Sequence, residues 1–184
     1  DPSSKSSCVE TIKGIAQEEM LHLGIAANLL TAVGGKPDFV RSAPSYPTLL
    51  PTHIHEGLVV GLAPLSETVL VKTFMAIEEP VTHLFDDDKF TPSGARLIGQ
   101  FYAAVLETLE SLTPVFSTAG QINLDVGLPG GAPFIIAGLD DVRAAIDLIT
   151  RQGEGTATGP FESPGNPDEL AHFYQFAEIA HGAG

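Results

Sequence analysis

The stretch IKGIAQEEMLHLGIAANLLTAV, residues 12–33, decides the fold. At about 100° per residue, positions three and four apart share one face of a helix. Measured from Glu19, the residues Ile12, Ala16, Leu23, Ala26 and Leu30 all fall within roughly 60°. Glu19 therefore points into the middle of an apolar stripe, and His22, one turn on, sits at its flank. A buried, unpaired carboxylate costs on the order of several kcal/mol unless it is neutralised, paired or bound to a metal. Glu19 is thus either bonded to a Tyr, His or Arg of a neighbouring helix, or it is a ligand. Gly34-Gly35 ends the helix, with Pro37 soon after.

Working outward, the other segments fit around this helix. Ser6 or Ser7 would cap it, with Asp1 to Ser7 as a frayed polar lead. The Pro-rich run from Pro37 to Pro64 reads as an extended surface loop, in which His53-x-His55-Glu56 is a solvated group or a weak ligand pattern. A second helix spans 66–78 and stops at Pro80. Glu78-Glu79 with His83 resembles a ligand cluster, but Pro80 breaks the register between them. Asp86-Asp87-Asp88 reads as a solvated turn.

A third helix is expected over 93–112, with Thr91 as cap and Pro92 at its first position. Ser93, Gln100, Glu107 and Ser111 line one side of it, which places Gln100 to look inward and Glu107 two turns further along. The Gly- and Pro-rich run 114–133 reads as loop. Asp140-Asp141 opens a helix whose stripe is Val142, Ala145, Ile146 and Ile149, ending near 151–153. The following GEGTATG, residues 153–159, follows a helix and leads to Pro160 and Pro164, so it reads as a C-terminal cap and loop instead of a phosphate loop. A last helix is expected over 166–181, with Asn166 as cap and Pro167 at its first position. It carries two Glu-x-x-His patterns. Glu169 and His172 fall on its apolar side, whereas Glu178 and His181 point away.

Two helices far apart in the chain, each turning Glu-x-x-His inward, form a pattern more specific than either motif. Carboxylate-bridged metal bundles use a Glu from each of two helices and Glu-x-x-His from each of the other two. Glu19, His22, Glu169 and His172 are the candidate metal ligands on this reading, and Gln100 and Glu107 are candidates on the third helix. The segments IAQEEMLHLGIAANLLTAVGGKPDF, LIGQFYAAVLETL, AIDLITRQGEG and ELAHFYQFAEI resemble, in that order, the ferritin-like domain of the iminophenylpyruvate dimer synthase family. That family includes the imine-coupling enzymes of violacein and rebeccamycin-type bisindole biosynthesis. The resemblance implies an all-α, ferritin-like helical bundle with long Pro/Gly-rich loops. It also implies iron, as a mononuclear or incomplete di-iron centre. Imidazole and carboxylate ligands also suit zinc or manganese. The family's third-helix motif has Glu where this chain has Gln100, and its first bundle helix lies upstream of residue 1.

Composition bounds the function. The 184 residues suit one domain, or a piece of a longer chain. A net charge of −14 argues against nucleic acid and anionic membranes as partners. No apolar run is long enough to span a bilayer, and the single Cys8 fits a reducing, cytoplasmic compartment. The leading expectation is a metal-dependent oxidase, oxygenase or imine-coupling enzyme acting on a small aromatic metabolite, with Tyr102 and Tyr174 as proton or radical partners or as core residues. The alternative is a non-catalytic bundle serving as a binding or scaffold module. A homo-oligomer, or an additional segment, would supply the absent helix. Iron storage suits the long loops less.

Overall fold

The computed structural model describes residues 2–84, 87–92, 94, 96–124, 134–154, 159–163 and 166–182. It is a helical bundle built on α1 (Pro2–Ala32), which starts well before the expected cap. The short α2 (Phe39–Ser42) follows, with Asp38 Oδ1 accepting the Arg41 N–H. Two two-residue strands, β1 (Thr48–Leu49) and β2 (Val59–Val60), pair antiparallel across the Pro-rich loop. Ser66 Oγ accepts the Val69 N–H and opens a rod of three consecutive pieces. These are α3 (Glu67–Val69), a π-helical turn (Leu70–Phe74) and α4 (Met75–Ile77). Three longer elements complete the bundle: α5 (Ile98–Leu112), α6 (Leu139–Glu154) and α7 (His172–His181).

Two helices begin later than the sequence predicts. α5 starts at Ile98, because the Leu97 N–H is already satisfied by Gln100 Oε1 at 3.0 Å. Thr91 and Pro92 therefore lie in the preceding loop, and Ser93 is outside the described residues. α7 starts at His172, because 166–170 is not helical. It forms β4 (Asn166–Leu170), paired antiparallel with β3 (Phe161–Ser163), and the Ala171 N–H bonds to the Pro160 carbonyl. Asn166-Pro167 reads as a helix start locally, but the hairpin takes its backbone first. Of the GEGTATG segment, residues 155–158 lie outside the described residues, as does 125–133 of the expected loop.

The buried arc of α1 is also displaced. Ile15, His22, Ile25, Asn28 and Ala32 are buried, whereas Leu23 and Leu30 are exposed and Glu19 is 46% exposed. The core-facing direction is rotated roughly a quarter turn from Glu19 at ~100° per residue. His22 thus occupies the covered side and Glu19 its edge. α6 and α7 pack on the His22 side, which leaves an open apolar seam through Ile12, Ala16, Glu19, Leu23, Ala26 and Leu30.

The interior forms two clusters that share α1. One joins Ile15 to Leu70, Val71 and Met75 of the rod and to Phe173, Phe176 and Ala177 of α7. The other joins Ile25 and Ala32 to Val142, Ala145 and Ile149 of α6, with Tyr102 and Leu106 of α5 packed against it. Between them lies a layer of polar side chains. Among the described residues no helix is long and apolar enough to cross a membrane.

Candidate metal centre

Three elements bring Glu19, Glu78 and His172 together, with one potential ligand atom of each lying within 4.8 Å of the others. Glu19 comes from the middle of α1 and His172 from the first position of α7. Glu78 is the first residue past α4, where φ −87° and ψ 13° turn the chain out of the helix. A cavity of about 80 Å³ adjoins them, lined by Glu19, His22, Glu78, Tyr102, Gly153 and Glu154 among others. Outside it lies a wider apolar pocket of about 370 Å³ between α1, the rod and α7, with Glu19 and Glu78 at its polar edge.

A hydrogen-bond network behind the cluster fixes both imidazoles. His172 Nε2–H donates to Glu18 Oε2 at 2.7 Å. Gln152 Nε2 donates to Glu18 Oε1 at 2.9 Å, and its Oε1 accepts from His22 Nε2–H at 2.8 Å. Nε2 of each ring is thus committed outward, and Nδ1 is the atom left facing inward. Those two Nδ1 atoms converge on Glu19 Oε1, from 2.9 Å for His172 and 3.4 Å for His22. His172 Nδ1 is fully buried, with Glu19 Oε1 as its neighbour. The rings stack with centroids 5.6 Å apart.

That arrangement fits a metal ion. Metal-binding His normally hands its second ring N–H to an outer carboxylate or amide, which sets the tautomer. Glu18 and Gln152 occupy that outer position. Glu19, Glu78 and His172 offer two carboxylates and an imidazole at one point, and His22 stands beside them. Mixed nitrogen and oxygen donors suit iron, manganese or zinc.

Without an ion, protons balance the charge. Burial works against a charged His172, but hydrogen bonds to Glu18 and Glu19 and the field of Glu78 outweigh it and bring the ring to about 9. Burial raises Glu19, yet the bonds to His172 and His22 prevail and lower it to about 2. Burial pushes the Glu78 carboxyl up to about 8, helped by the negative charge of Glu19. Burial also brings Glu154 to about 7, against the pull of the Val81 and Gly99 N–H groups. Tyr102 is pushed up to about 12 by burial and by Glu19 and Glu78.

The sequence-derived candidates divide. Glu19, His22 and His172 are brought together. Glu169 is half-buried on β4 and belongs to neither of the described clusters of three ligand atoms. Its three-residue spacing to His172 crosses from strand to helix, so the two do not share a helix face. Gln100 is exposed and caps α5, and Glu107 is exposed further along it. Tyr102 lines the small cavity, while Tyr174 is a core residue bonded to the Leu84 backbone. Of the His and Glu residues set aside in the loops, Glu79 is buried between His55 and His83, at 3.8 and 3.3 Å. Sequence reasoning missed Glu18, Gln152 and Glu154 as site residues, and set Glu78 aside because Pro80 follows it. Glu78 and Glu154 both stand where a helix ends, and helical periodicity is silent there.

A sequence model of the ferritin-like family matches residues 1–181. No curated protein and no solved structure matches the chain. The match runs through every helix that contributes to the Glu19–Glu78–His172 cluster, so the family assignment and the geometry concern the same residues: the chain belongs to the ferritin-like family.

Proposed function

We propose that this protein is a metal-dependent oxidoreductase, an oxidase or oxygenase of small aromatic metabolites, with iron as its ion. The observation that carries the reading is the pair of imidazoles whose Nε2–H groups are tied outward and whose Nδ1 atoms converge on Glu19, where a metal ion would take the place of the His172 proton. Ferritin-like proteins often bind iron. Glu19, Glu78 and His172 would hold the ion, with His22 beside them. A bound redox-active ion supplies the electron-transfer chemistry, and the protein sets access and orientation.

The chain's own residues supply the rest. Phe74, Ile77, Phe176, Ile12 and Ile15 make an apolar wall against which a flat aromatic substrate can stack and exclude water. Glu19 and Glu78 face the polar end of that substrate. Glu154, at about 7, can take up or release a proton beside the cavity near neutral pH. The Tyr102 hydroxyl keeps its proton and can donate it as a hydrogen bond. The resemblance to iminophenylpyruvate dimer synthases makes imines of aromatic 2-oxo acids the first substrates to try.

A second reading has its own support. The ion-free site is internally balanced, with His172 between Glu18 and Glu19. Such a site would let the bundle persist as a metal-free binding or scaffold module. Elemental analysis of protein purified without chelator, beside Glu78→Ala and His172→Ala, separates the two. The enzyme reading expects a transition metal near one per chain, lost from both variants, and oxygen uptake with an aromatic imine. Metal-free protein that folds equally well in all three forms and consumes no oxygen after loading with ferrous ion leaves the scaffold.

A further inference from the structure

Among the described residues four glycines, Gly14, Gly24, Gly99 and Gly153, stand inside helices without a positive φ, and at two of them a carboxylate fills the place of the side chain. Gly99 is in the first turn of α5 and Gly153 in the last turn of α6, and neither is among the glycines with positive φ. Glycine inside a helix is costly relative to alanine, which makes it informative to see what fills the place of the missing side chain. At Gly153 an added Cβ would lie 2.6 Å from Glu78 Oε2. At Gly99 it would lie 2.7 and 2.8 Å from the two carboxylate oxygens of Glu154. Gly14 of α1 provides the contrast, since nothing lies within 4 Å of a Cβ built there.

We propose that Gly153 and Gly99 are positioning residues of the metal centre: each is an empty slot that seats a carboxylate from another element, Glu78 against Gly153 and Glu154 against Gly99. The inference rests on the reading of Glu78 as a ligand and adds what places it. α6 thereby links both acids. Its Gly153 receives Glu78 from the end of the rod, and its terminal Glu154 reaches the start of α5. There the Gly99 and Val81 N–H groups donate to the Glu154 carboxylate. A first-turn N–H of a helix has no partner within the helix, which makes it a natural seat for a carboxylate.

The clashing atoms are the far ends of flexible side chains, not backbone. Alanine at either position therefore leaves the fold intact and turns the carboxylate out of its seat. A crystal structure of Gly153→Ala without metal reads this directly, and titration of parent and variants with Co²⁺ reads its consequence. The expected result is a folded Gly153→Ala whose Glu78 carboxylate has left the slot. Its Co²⁺ affinity falls about tenfold or more, the scale of losing an outer partner of a ligand. Gly14→Ala binds as the parent does, and adding Gly153→Ala to Glu78→Ala brings no further loss. Glu78 found unmoved in the Gly153→Ala crystal, or parental affinity in that variant, overturns the inference. A parent that binds no Co²⁺ overturns the metal reading instead, and the crystal structure still decides the seat.

Discussion

Two clusters in this molecule offer the same donors, two carboxylates and an imidazole within 4.8 Å: Glu19, Glu78 and His172 between the cores, and Asp87, Asp88 and His181 at the surface. In the first, the His172 side chain is fully buried and its Nε2–H is committed to Glu18. In the second, His181 is 38% and Asp88 84% exposed, with Asp87 alone covered at 8%, and the Nε2 of His181 lies 3.1 Å from Asp87. Nearby, Lys89 already supplies a cation, its Nζ bonded to the Ala180 carbonyl at 2.6 Å. Proximity of acids and histidines is common on a protein with a net charge of −14. What separates the inner cluster is the second layer of side chains, which ties each Nε2 outward and turns each Nδ1 inward, together with the full burial of His172.

That contrast can be broken first at the second layer. Glu18→Ala and Gln152→Ala leave Glu19, Glu78 and His172 in place but free the imidazoles to rotate or change tautomer. Isothermal titration with ferrous or manganous ion should show metal affinity down about 10–100-fold in each. Unchanged affinity in both would mean that the network is only packing.

The next test uses pH. Glu78 and Glu154 are raised from 4.5 to about 8 and about 7, so each holds its proton more tightly folded than unfolded. Their stabilisation is complete below pH 4.5 and is lost as pH rises through 7 and 8. His172, raised from 6.5 to about 9, acts in the same direction, present below 6.5 and lost through 9. Glu19, lowered from 4.5 to about 2, stabilises above 4.5 and is lost toward 2. Metal-free protein should therefore be most stable near pH 4.5 and lose melting temperature steadily from there up to 9. Metal affinity should climb across that same upper range, because Glu78 and His172 must release protons to bind. A melting temperature that is flat or rising from 6.5 to 9 contradicts the buried protonated pair.

The smallest effect belongs to the surface. Asp88→Asn with His181→Ala should change stability by less than about 1 kcal/mol, as for other exposed ion pairs, and leave metal content untouched. A loss of metal in this double variant would put a site where the comparison denies one.

Members of the candidate centre are legible in the sequence where periodicity is long. Glu19 and His22 lie in the longest helix, and their spacing survives a quarter-turn error in which face is covered. The sequence pattern failed where elements end. Pro80 suggested a broken register after Glu78, yet the helix already stops at Ile77, and it is the turn itself that aims Glu78 inward. Glu154 was read into a cap and loop but is the last, buried residue of α6. Glu169 was joined to His172 by a helix that the β3–β4 hairpin pre-empts. Gln100 was given an inward role and instead satisfies the backbone at the start of α5. Local pattern cannot weigh a cap against a ligand, or a hairpin against a helix start, because the competing partner lies elsewhere in the chain.

The π-helical turn at Leu70–Phe74 bears on how length variation could be tolerated. Its closing bond runs from the Met75 N–H to the Leu70 carbonyl, five residues back, so it accommodates one residue more than an α-turn. Such turns behave as single-residue insertions absorbed inside a helix. Deleting that residue would let the turn relax to an α-turn with the segments on either side held in place, so Glu78 would keep its position beside Glu19 and His172.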